Sequence, residues 1–414
     1  MRMGSDCKVF LSVFFIFTIV SCDWSHEPEL YSEDVIVAKP ATKICQLVGD
    51  YDREYHGFTI NLTGQRYQVD AVDEGAVFRH KGRYYLLFGE TWLKDENPIA
   101  YTNDVIPEEG LELIFLQDLN GSYRPIKIPG VSMGMFEVPT EGVSVDGKIY
   151  LYVTTDLIDA TWPTDGVCGR SVVAVSYDDG YNFAYLYTLS RYPEGHFMQV
   201  SIVETELSED DGFPESEGVG LVIFGGGKYR QESVALAFQP ASQIENPSSI
   251  RYFAGLDENG DLIWSSNQTD AIELFDQPCI GEFSVTYNQF IEKWIMLYNC
   301  YFPNEPDRLR GINLRTADKP WGPWSLPKIV FEPWEDGGYC HFIHVDWHYE
   351  ICDSVHDPGR EYEWGGEYGP YQYEGLATGN ESTTTIYFNM STWNPYTVVL
   401  MKATLEKIKS KKDY

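Results

Sequence analysis

Positive charge is scarce in this sequence of 414 residues, in which 30 lysines and arginines face 63 aspartates and glutamates for a net charge of −33. A surface this negative repels phosphate backbones and anionic lipid headgroups, so nucleic-acid binding is largely excluded. Disorder is excluded too, because hydrophobic residues make up 43% of the chain and aromatic residues 15%. The composition therefore indicates a large folded core.

Long hydrophobic runs are absent beyond residue 22. Arg2 and Lys8 precede the apolar run 9–20, and Ser21 and Cys22 follow it, which is the order of regions in a signal peptide. The run is too short for a comfortable permanent membrane anchor. We expect residues 1–22 to be a signal peptide and the mature protein to be secreted. Residues 19–22 also fit a bacterial lipoprotein box, in which Cys22 would carry a lipid anchor.

Six cysteines follow Cys22, which is typical of an oxidising compartment. They are Cys45, Cys168, Cys279, Cys300, Cys340 and Cys352. Six half-cystines allow fifteen pairings, among which Cys279 with Cys300 and Cys340 with Cys352 are local closures; buried free thiols are the alternative. Five Asn-x-Ser/Thr sequons would be glycan acceptors in a eukaryotic secretory pathway: Asn61, Asn120, Asn267, Asn380 and Asn389.

A strand–turn–strand pattern recurs five times, starting near residues 75, 141, 200, 284 and 375. Each half is short and rich in β-branched or aromatic residues, and most pairs are followed by a third strand-like run. This recurrence predicts an all-β fold, a five-bladed β-propeller. A β-sandwich or two β domains would explain the strands but not the fivefold repetition. The predicted domains are an N-terminal extension at 23–49, the propeller at 50–407 and a polar tail at 408–414.

The innermost strand of each blade lines the axis of a propeller, so the first residues of these strands can converge at one end. Here they are Asp73, Glu74, Glu141, Gln199, Glu282 and Tyr371. Several acids around one pocket suit general acid/base work on a neutral, polyhydroxylated substrate, because proximity separates their pKa values. Glycoside hydrolysis needs such a pair. The alternative for each acid is a solvated position beside a turn.

Five short motifs occur in order along residues 70–405. They are Val-Asp-Glu-Gly at 72–75 with Phe-Gly-Glu-Thr at 88–91, Gly-Gly-Gly-Lys-Tyr-Arg at 225–230, Gly-Glu-Phe-Ser at 281–284, Trp-Gly-Pro-Trp-Ser at 321–325 and Ser-Thr-Trp-Asn-Pro-Tyr at 391–396. Together they resemble the domain-of-unknown-function 4185 family. The resemblance implies a five-bladed propeller related to arabinanase-type glycosidases, and some members of that family are endo-acting D-arabinofuranan hydrolases.

The resemblance assigns the paired acids to Asp73, as general base or nucleophile, and Glu90, as the acid partner. This chain has Glu90 where the family commonly has Asp, which shifts the carboxylate by about one methylene and could retune or inactivate the site. Glu141 and Glu282 are further candidates for acid or pKa-modulating roles. The expected substrate-binding residues are Trp92, Gln199, Tyr229, Arg230 and Ser233. An inter-blade ion pair is the alternative for Arg230.

The segment 340–348 contains several potential metal ligands. In a strand, His344, Asp346 and His348 would share a face, so a metal site is geometrically open. The nearby Cys352 makes a disulfide with Cys340 an equal explanation, and we predict neither a metal nor a cofactor.

The predicted function is that of a secreted, monomeric glycoside hydrolase. It would cleave a furanose-containing, arabinan-like polysaccharide by paired-carboxylate catalysis. Its expected partner is therefore a glycan, with no nucleic acid and no membrane span. The alternative is a non-catalytic carbohydrate-binding or surface-adhesion propeller.

Overall fold

The computed structural model describes residues 35–160, 166–209, 212–300 and 311–408. The predicted signal peptide, the lipid-anchor position Cys22 and residues 409–414 of the predicted tail lie outside the described residues. Among the helices of the described part, none combines the length and the apolarity that crossing a membrane requires. The described residues contain one α-helix, α1 (Thr63–Tyr67), and four 3-10 helices: Pro107–Glu109, Ala241–Gln243, Pro247–Ser249 and Gln268–Asp270.

Strands account for nearly all of the remaining regular structure. In chain order they are β1 Val35–Gln46, β2 Tyr51–Asp52, β3 Gly57–Phe58, β4 Val72–His80, β5 Arg83–Thr91, β6 Ile99–Thr102, β7 Ile114–Phe115, β8 Pro139–Val145, β9 Lys148–Asp159, β10 Val167–Ser176, β11 Ala184–Arg191, β12 Gln199–Glu206, β13 Val219–Gly226, β14 Val234–Pro240, β15 Arg251–Leu256, β16 Leu262–Ser265, β17 Ile280–Asn288, β18 Lys293–Cys300, β19 Ile312–Ala317, β20 Lys328–Phe331, β21 Gly366–Gln372, β22 Thr378–Asn380, β23 Thr383–Trp393 and β24 Thr397–Lys407.

Five antiparallel sheets form the blades of a β-propeller, which confirms the predicted fold class. Blades one to four are β4–β7, β8–β11, β12–β16 and β17–β20, and in each the chain runs from the inner strand outward. The inner strands β4, β8, β12, β17 and β21 contact one another in a ring. Their starts therefore meet at one end of the axis.

The fifth blade joins the two ends of the described chain. β1 pairs antiparallel with β24, from Val35 opposite Lys407 to Gln46 opposite Val399, while β21, β23 and β24 supply the inner part of the blade. Residues 35–46, which the sequence analysis places in an N-terminal extension, thus form the outer strand of this blade. The pairing closes the ring with hydrogen bonds rather than with a linker.

The start of the fifth hairpin differs from the sequence expectation. The expected first strand, near 375–378, corresponds only to the short β22, and the inner strand of the blade is β21. β21 and β22 both pair with β23, and a turn at 373–377 separates β21 from β22. The ladder is irregular between Tyr368 and Tyr371, where Gly369 adopts a φ of +60°. A strand interrupted by Gly-Pro lacks the continuous pattern by which strands are recognised.

The cores lie between neighbouring blades, so the middle strands are covered on both faces. Every residue of β18 is buried, as its nearly continuous apolar run Trp294–Tyr298 would indicate. Ala76 and Leu87 of blade one, for example, pack with Val153 and Val172 of blade two. Burial on both faces fixes the spacing of the blades and hence the positions of the inner strands.

Both of the local cysteine pairings are disulfides, Cys279–Cys300 and Cys340–Cys352. Cys45 and Cys168 are free thiols. The segment around His344 is a series of turns and not a strand, so His344, Asp346 and His348 do not share a strand face. Within the described ranges, the one grouping of potential ligand atoms is Cys340, Cys352 and Asp353, and its two sulfurs are bonded to each other.

His344 instead forms a buried pair with Asp353. Its Nδ1 lies 2.6 Å from Asp353 Oδ1, and its Nε2 donates to the Glu361 carbonyl at 2.9 Å. The backbone N–H groups of Val345 and Val355 also donate to Asp353. Both side chains are almost fully buried, so this network holds the turns of the 332–365 connection together.

We expect His344→Ala to lower the free energy of unfolding by about 3–5 kcal/mol, because it leaves the Asp353 carboxylate buried without its partner. Urea denaturation measures the change. The matched control is His348→Ala on the same segment, whose side chain is 73% exposed and whose loss should cost less than about 1 kcal/mol. Equal effects of the two substitutions would contradict the structural role of the pair.

Candidate active site

A cavity of about 960 Å³ opens at the end of the ring where the inner strands begin. Its walls come from the starts of β4, β12, β17 and β21 and from the ends of the strands beside them. Seven carboxylic acids line it: Asp73, Glu74, Glu90, Asp95, Glu282, Glu363 and Glu367. Four of them, Asp73, Glu74, Glu90 and Glu282, interact electrostatically, and burial together with these charges raises the pKa values of the first three. Ring closure therefore brings together acids that are far apart in the sequence.

A β-bulge at the start of β4 places two of these acids side by side. The register with β5 shifts on both sides of Glu74, which has a φ of +60°, and Gly75 follows with a φ of +106°. Asn389 and Ser391 of blade five hold the bulge by donating to the Gly75 and Glu74 carbonyls. Bulges re-aim side chains in this way next to active sites.

Gly89 makes room for the bulge on the adjacent strand. A Cβ at this position would collide with the Asp73 carboxylate and with Cγ of Glu74. The Phe-Gly-Glu motif at 88–90 thus has a steric reason: its glycine admits Asp73, and its glutamate reaches the same cavity.

Asp73 is buried, and its two carboxylate oxygens differ. Oδ2 accepts a hydrogen bond from the Tyr368 hydroxyl at 2.8 Å, whereas Oδ1 is buried without a hydrogen-bond partner. Burial raises the pKa of Asp73 well above its usual range, and the negative charge of Glu90 raises it further. The hydroxyls of Tyr368 and Tyr396 act in the opposite direction. Oδ1 packs against Gly89 of the adjacent strand β5.

Glu90 is only half-buried, and its negative charge acts on Asp73. Burial raises the pKa of Glu90 to about 7, backbone N–H groups of Glu90 and Phe136 oppose the shift, and the charges of Asp95 and Glu282 add to it. The Tyr396 hydroxyl donates to the Glu90 carbonyl at 3.1 Å, which anchors the backbone. Glu90 can therefore hold or release a proton near neutral pH.

The other two of these four acids are each held by a tyrosine. Glu74 accepts from the Tyr371 hydroxyl at 2.5 Å, and its pKa is raised well above the usual range by burial and then by the charges of Glu282 and Asp73. Glu282 accepts from the Tyr229 hydroxyl and from Asn299 Nδ2 at 2.8 Å. Arg230 Nη2 lies 3.5 Å from the same carboxylate.

Seven of the nine predicted site residues line the cavity: Asp73, Glu90, Trp92, Gln199, Tyr229, Arg230 and Glu282. Ser233 and Glu141 lie outside its lining. Ser233 donates its hydroxyl to the Phe275 carbonyl at 2.5 Å. In the described structure, the side chains of Ser233 and Glu141 form hydrogen bonds with other parts of the protein and do not face the cavity.

Glu141 links blades two and three. Its carboxylate accepts from the N–H groups of Gly142 and Ile202 at 2.9 and 3.1 Å and from the Ser201 hydroxyl at 3.4 Å. Burial raises the pKa of Glu141 to about 8, against these hydrogen bonds. Its geometry is that of a structural acceptor between inner strands.

Glu74 and Tyr371 were expected at this end of the axis but were not assigned a catalytic or binding role. The hydrogen-bond donors Tyr368, Tyr396 and Asn299 were not predicted. Tyr396 stands in the 391–396 motif and Glu74 in the 72–75 motif, so a signal for these two was present. Nothing in the local sequence of Tyr368 or Asn299 marks them, because their role depends on strands from other blades.

A family model matches residues 59–402 of the chain, under the description "Domain of unknown function (DUF4185)". The match spans all five blades and every acid of the cavity. The chain belongs to the DUF4185 family. This confirms the resemblance that the five motifs carry, and the cavity acids of this DUF4185 protein all lie within the matched residues.

Solved structures that resemble this DUF4185 protein share little sequence with it. A candidate hydrolase from Bacteroides ovatus ATCC 8483 is 10% identical with a TM-score of 0.50, covering 82% of this chain and 87% of that one. An arabinanase from Bacillus subtilis is 11% identical with a TM-score of 0.41, covering 81% and 94%. An exo-β-1,3-galactanase from Phanerochaete chrysosporium is 7% identical with a TM-score of 0.43, covering 87% and 64%.

At 10% identity the Bacteroides protein shows a shared fold and nothing about chemistry. No curated protein is significantly similar to the chain in sequence. The chemistry of this DUF4185 protein has therefore to be inferred from its own cavity.

We expect Glu141→Gln to flatten the pH dependence of stability. The folded state keeps the Glu141 proton up to about pH 8, whereas an unperturbed glutamate loses it near pH 4.5. The contribution of this group to stability is therefore full below pH 4.5 and is lost as pH rises to 8, at about 1.4 kcal/mol per pH unit.

Urea denaturation at pH 5 and pH 8 measures this difference. The wild-type protein should lose more free energy of unfolding between the two values than the variant does. Glu258→Gln, at the exposed β15–β16 turn, is the control and should keep the wild-type slope. An unchanged slope in Glu141→Gln would show that this carboxyl is ionised in the folded state.

Proposed function

We propose that this protein is a secreted glycoside hydrolase acting on a neutral, furanose-containing polysaccharide of the arabinan type, with Asp73 and Glu90 as its acid/base pair. The observation that carries the proposal is that four of the carboxyls lining one open cavity interact through their charges, which adds to the proton affinity of three of them. Mutually perturbed carboxyls in a cleft are typical of sites that hold one acid protonated beside an ionised one.

Glu90 suits the general acid. Its pKa of about 7 keeps it protonated in neutral to mildly acidic solution, and its half-exposed position gives it access to a glycosidic oxygen. A carboxyl with a raised pKa is what protonation of a leaving group requires. The longer side chain, where the family commonly has Asp, extends this proton further into the cavity.

Asp73 suits the general base or nucleophile. Burial is the main cause that raises the pKa of Asp73, and protonation of Glu90 removes the charge that adds most to it. The hydroxyls of Tyr368 and Tyr396 favour the Asp73 carboxylate. The two acids titrate as a coupled pair, so one proton between them is the working state. The Asp73 carboxylate would then act on the anomeric carbon or on a water molecule.

The surroundings favour a neutral substrate. The cavity acids would repel uronates and phosphorylated sugars, in keeping with the net charge of −33. Aromatic rings of Trp92, Tyr229 and Trp393 line the walls, and Gln199 and Arg230 add donors for hydroxyl groups. Apolar ring faces beside a few polar groups are what a sugar ring, with its apolar and polar sides, requires.

The second candidate is a propeller that binds glycans without cleaving them. The observation that favours it is Glu90 itself, since a shift of one methylene can misplace an acid relative to the bond it protonates. Binding would then survive through the same rings and donors, and only turnover would be lost.

We expect Asp73→Asn to reduce hydrolysis of D-arabinan and of linear L-arabinan at least a thousandfold while leaving binding within a few-fold of wild type. The amide keeps the size of the side chain but can neither attack nor accept a proton. Release of reducing ends measures hydrolysis, and affinity electrophoresis on the same polysaccharides measures binding. Asp146→Asn, at the exposed β8–β9 turn, should behave as wild type.

Wild-type protein that binds either polysaccharide without releasing reducing ends would support the binding module instead. If wild-type protein neither binds nor cleaves either polysaccharide, both candidate functions are wrong for this substrate class.

We expect kcat/KM to fall as pH rises above about 7, tenfold per pH unit, because catalysis needs the protonated form of Glu90, whose pKa is about 7. In Glu90→Gln the remaining activity should lack this basic limb. Initial rates on D-arabinan across pH 4–9 give both profiles. A basic limb that persists in Glu90→Gln would assign the proton to another of the four carboxyls.

A further inference from the structure

We propose that residues 332–365, which connect β20 to β21, carry an outer sugar-binding platform that extends the cavity and holds a polymeric neutral glycan beyond the bond that is cleaved. The platform consists of the rings of Trp334, Tyr339, Tyr349 and Trp364. The inference rests on the proposed function and deepens it, because it selects a polymer over a short oligosaccharide as the substrate.

The four rings form one continuous cluster. The ring centroids of Trp334 lie 4.8 Å from those of Tyr339 and 6.0 Å from those of Tyr349. Trp364 lies 5.6 Å from Tyr339 and 5.3 Å from Tyr349. These separations are those of packed aromatic pairs, so the rings support one another as a single surface.

This cluster runs from the cavity to the outside. Tyr339 and Trp364 line the cavity, whereas Trp334 and Tyr349 are 42% and 69% exposed. A ligand in the cavity can therefore continue onto exposed rings without crossing a polar gap. Exposed aromatic surface that adjoins a cleft is a mark of a binding site.

The platform is also joined to the rings beside the catalytic acids. Glu363, next to Trp364, accepts a hydrogen bond from Trp393 Nε1 at 2.7 Å. Trp393 packs against Trp92 at 6.0 Å, and the Arg360 guanidinium lies over the Trp393 ring at 4.2 Å. Ring faces thus flank the acid pair and continue onto the platform.

The connection is held in place before any ligand arrives. The Cys340–Cys352 disulfide closes the loop that carries Tyr349, and the buried His344–Asp353 pair fixes its middle. A rigid surface loses little conformational entropy when a ligand binds. Aromatic rings fixed in this way suit the stacking of flat, uncharged sugar faces.

The charges around the rings select against other occupants. Glu332, Glu335, Asp336 and Glu350 surround the platform in sequence, so nucleic-acid bases, which also stack on aromatic rings, would bring phosphates into a negative field. Anionic lipid and acidic polysaccharide are disfavoured for the same reason. A neutral glycan chain is the polymer that fits both the rings and the field.

The test compares D-arabinan polymer with an arabinotetraose for Trp334→Ala and Tyr349→Ala. Loss of a stacked ring should raise KM for the polymer about tenfold, while kcat on the polymer and kcat/KM on the tetrasaccharide stay within twofold of wild type. The matched control is Tyr177→Ala, a tyrosine on blade two that is 66% exposed and should change neither substrate. Equal losses on both substrates, or no loss on the polymer, would overturn the proposal.

A binding measurement keeps the platform testable if the chain proves not to hydrolyse these substrates. In native gels containing D-arabinan, wild-type protein and Tyr177→Ala should be retarded, and Trp334→Ala and Tyr349→Ala should migrate faster. Retardation that is the same in all four proteins would remove the platform while leaving the cavity proposal intact. Absence of retardation in wild type would overturn the glycan as its occupant.

Discussion

Closure of the five-bladed ring is the constraint on which the rest of the structure depends. The β1–β24 pairing joins the two ends of the described chain, and only a closed ring fixes where the inner strands start. Asp73 of blade one, Glu282 of blade four and Tyr368 of blade five then face one cavity. No local interaction would hold these residues together, so the geometry of the site depends directly on the packing of the blades.

Burying several carboxyls together is costly, and this chain offsets much of the cost with phenols, with Arg230 as the cation beside Glu282. Tyr368 donates to Asp73, Tyr371 to Glu74 and Tyr229 to Glu282. A neutral hydroxyl orients a carboxyl but compensates its charge only weakly, whereas a bound lysine or arginine would favour ionisation. The pKa values of Asp73 and Glu74 consequently stay raised, with burial as the main cause.

Much of this could be predicted from the sequence, and the failures have physical causes. Hairpins with clear turn residues, such as β4–β5 and β8–β9, were recognisable, and their number gave the fold. β21 was not, because Gly369 and Pro370 interrupt its pattern. Glu141 and Glu282 stand at equivalent strand starts, yet Glu141 meets backbone N–H groups of β8 and β12 whereas Glu282 meets Tyr229 and Asn299. Most of the groups that distinguish Glu141 from Glu282 come from other parts of the chain, so the sequence around each glutamate does not reveal them.

The two kinds of surface in the cavity come from different parts of the fold. Inner strands and their bulge supply the carboxyls, where blade packing permits little change, as the space that Gly89 leaves for Asp73 shows. Connections between strands supply ring faces such as Trp92 and Trp364. Because connections tolerate substitution better than packed strands, substrate choice can change through them while the acid pair stays in place. In the proposed hydrolase, bond cleavage and glycan recognition would thus belong to different parts of the propeller.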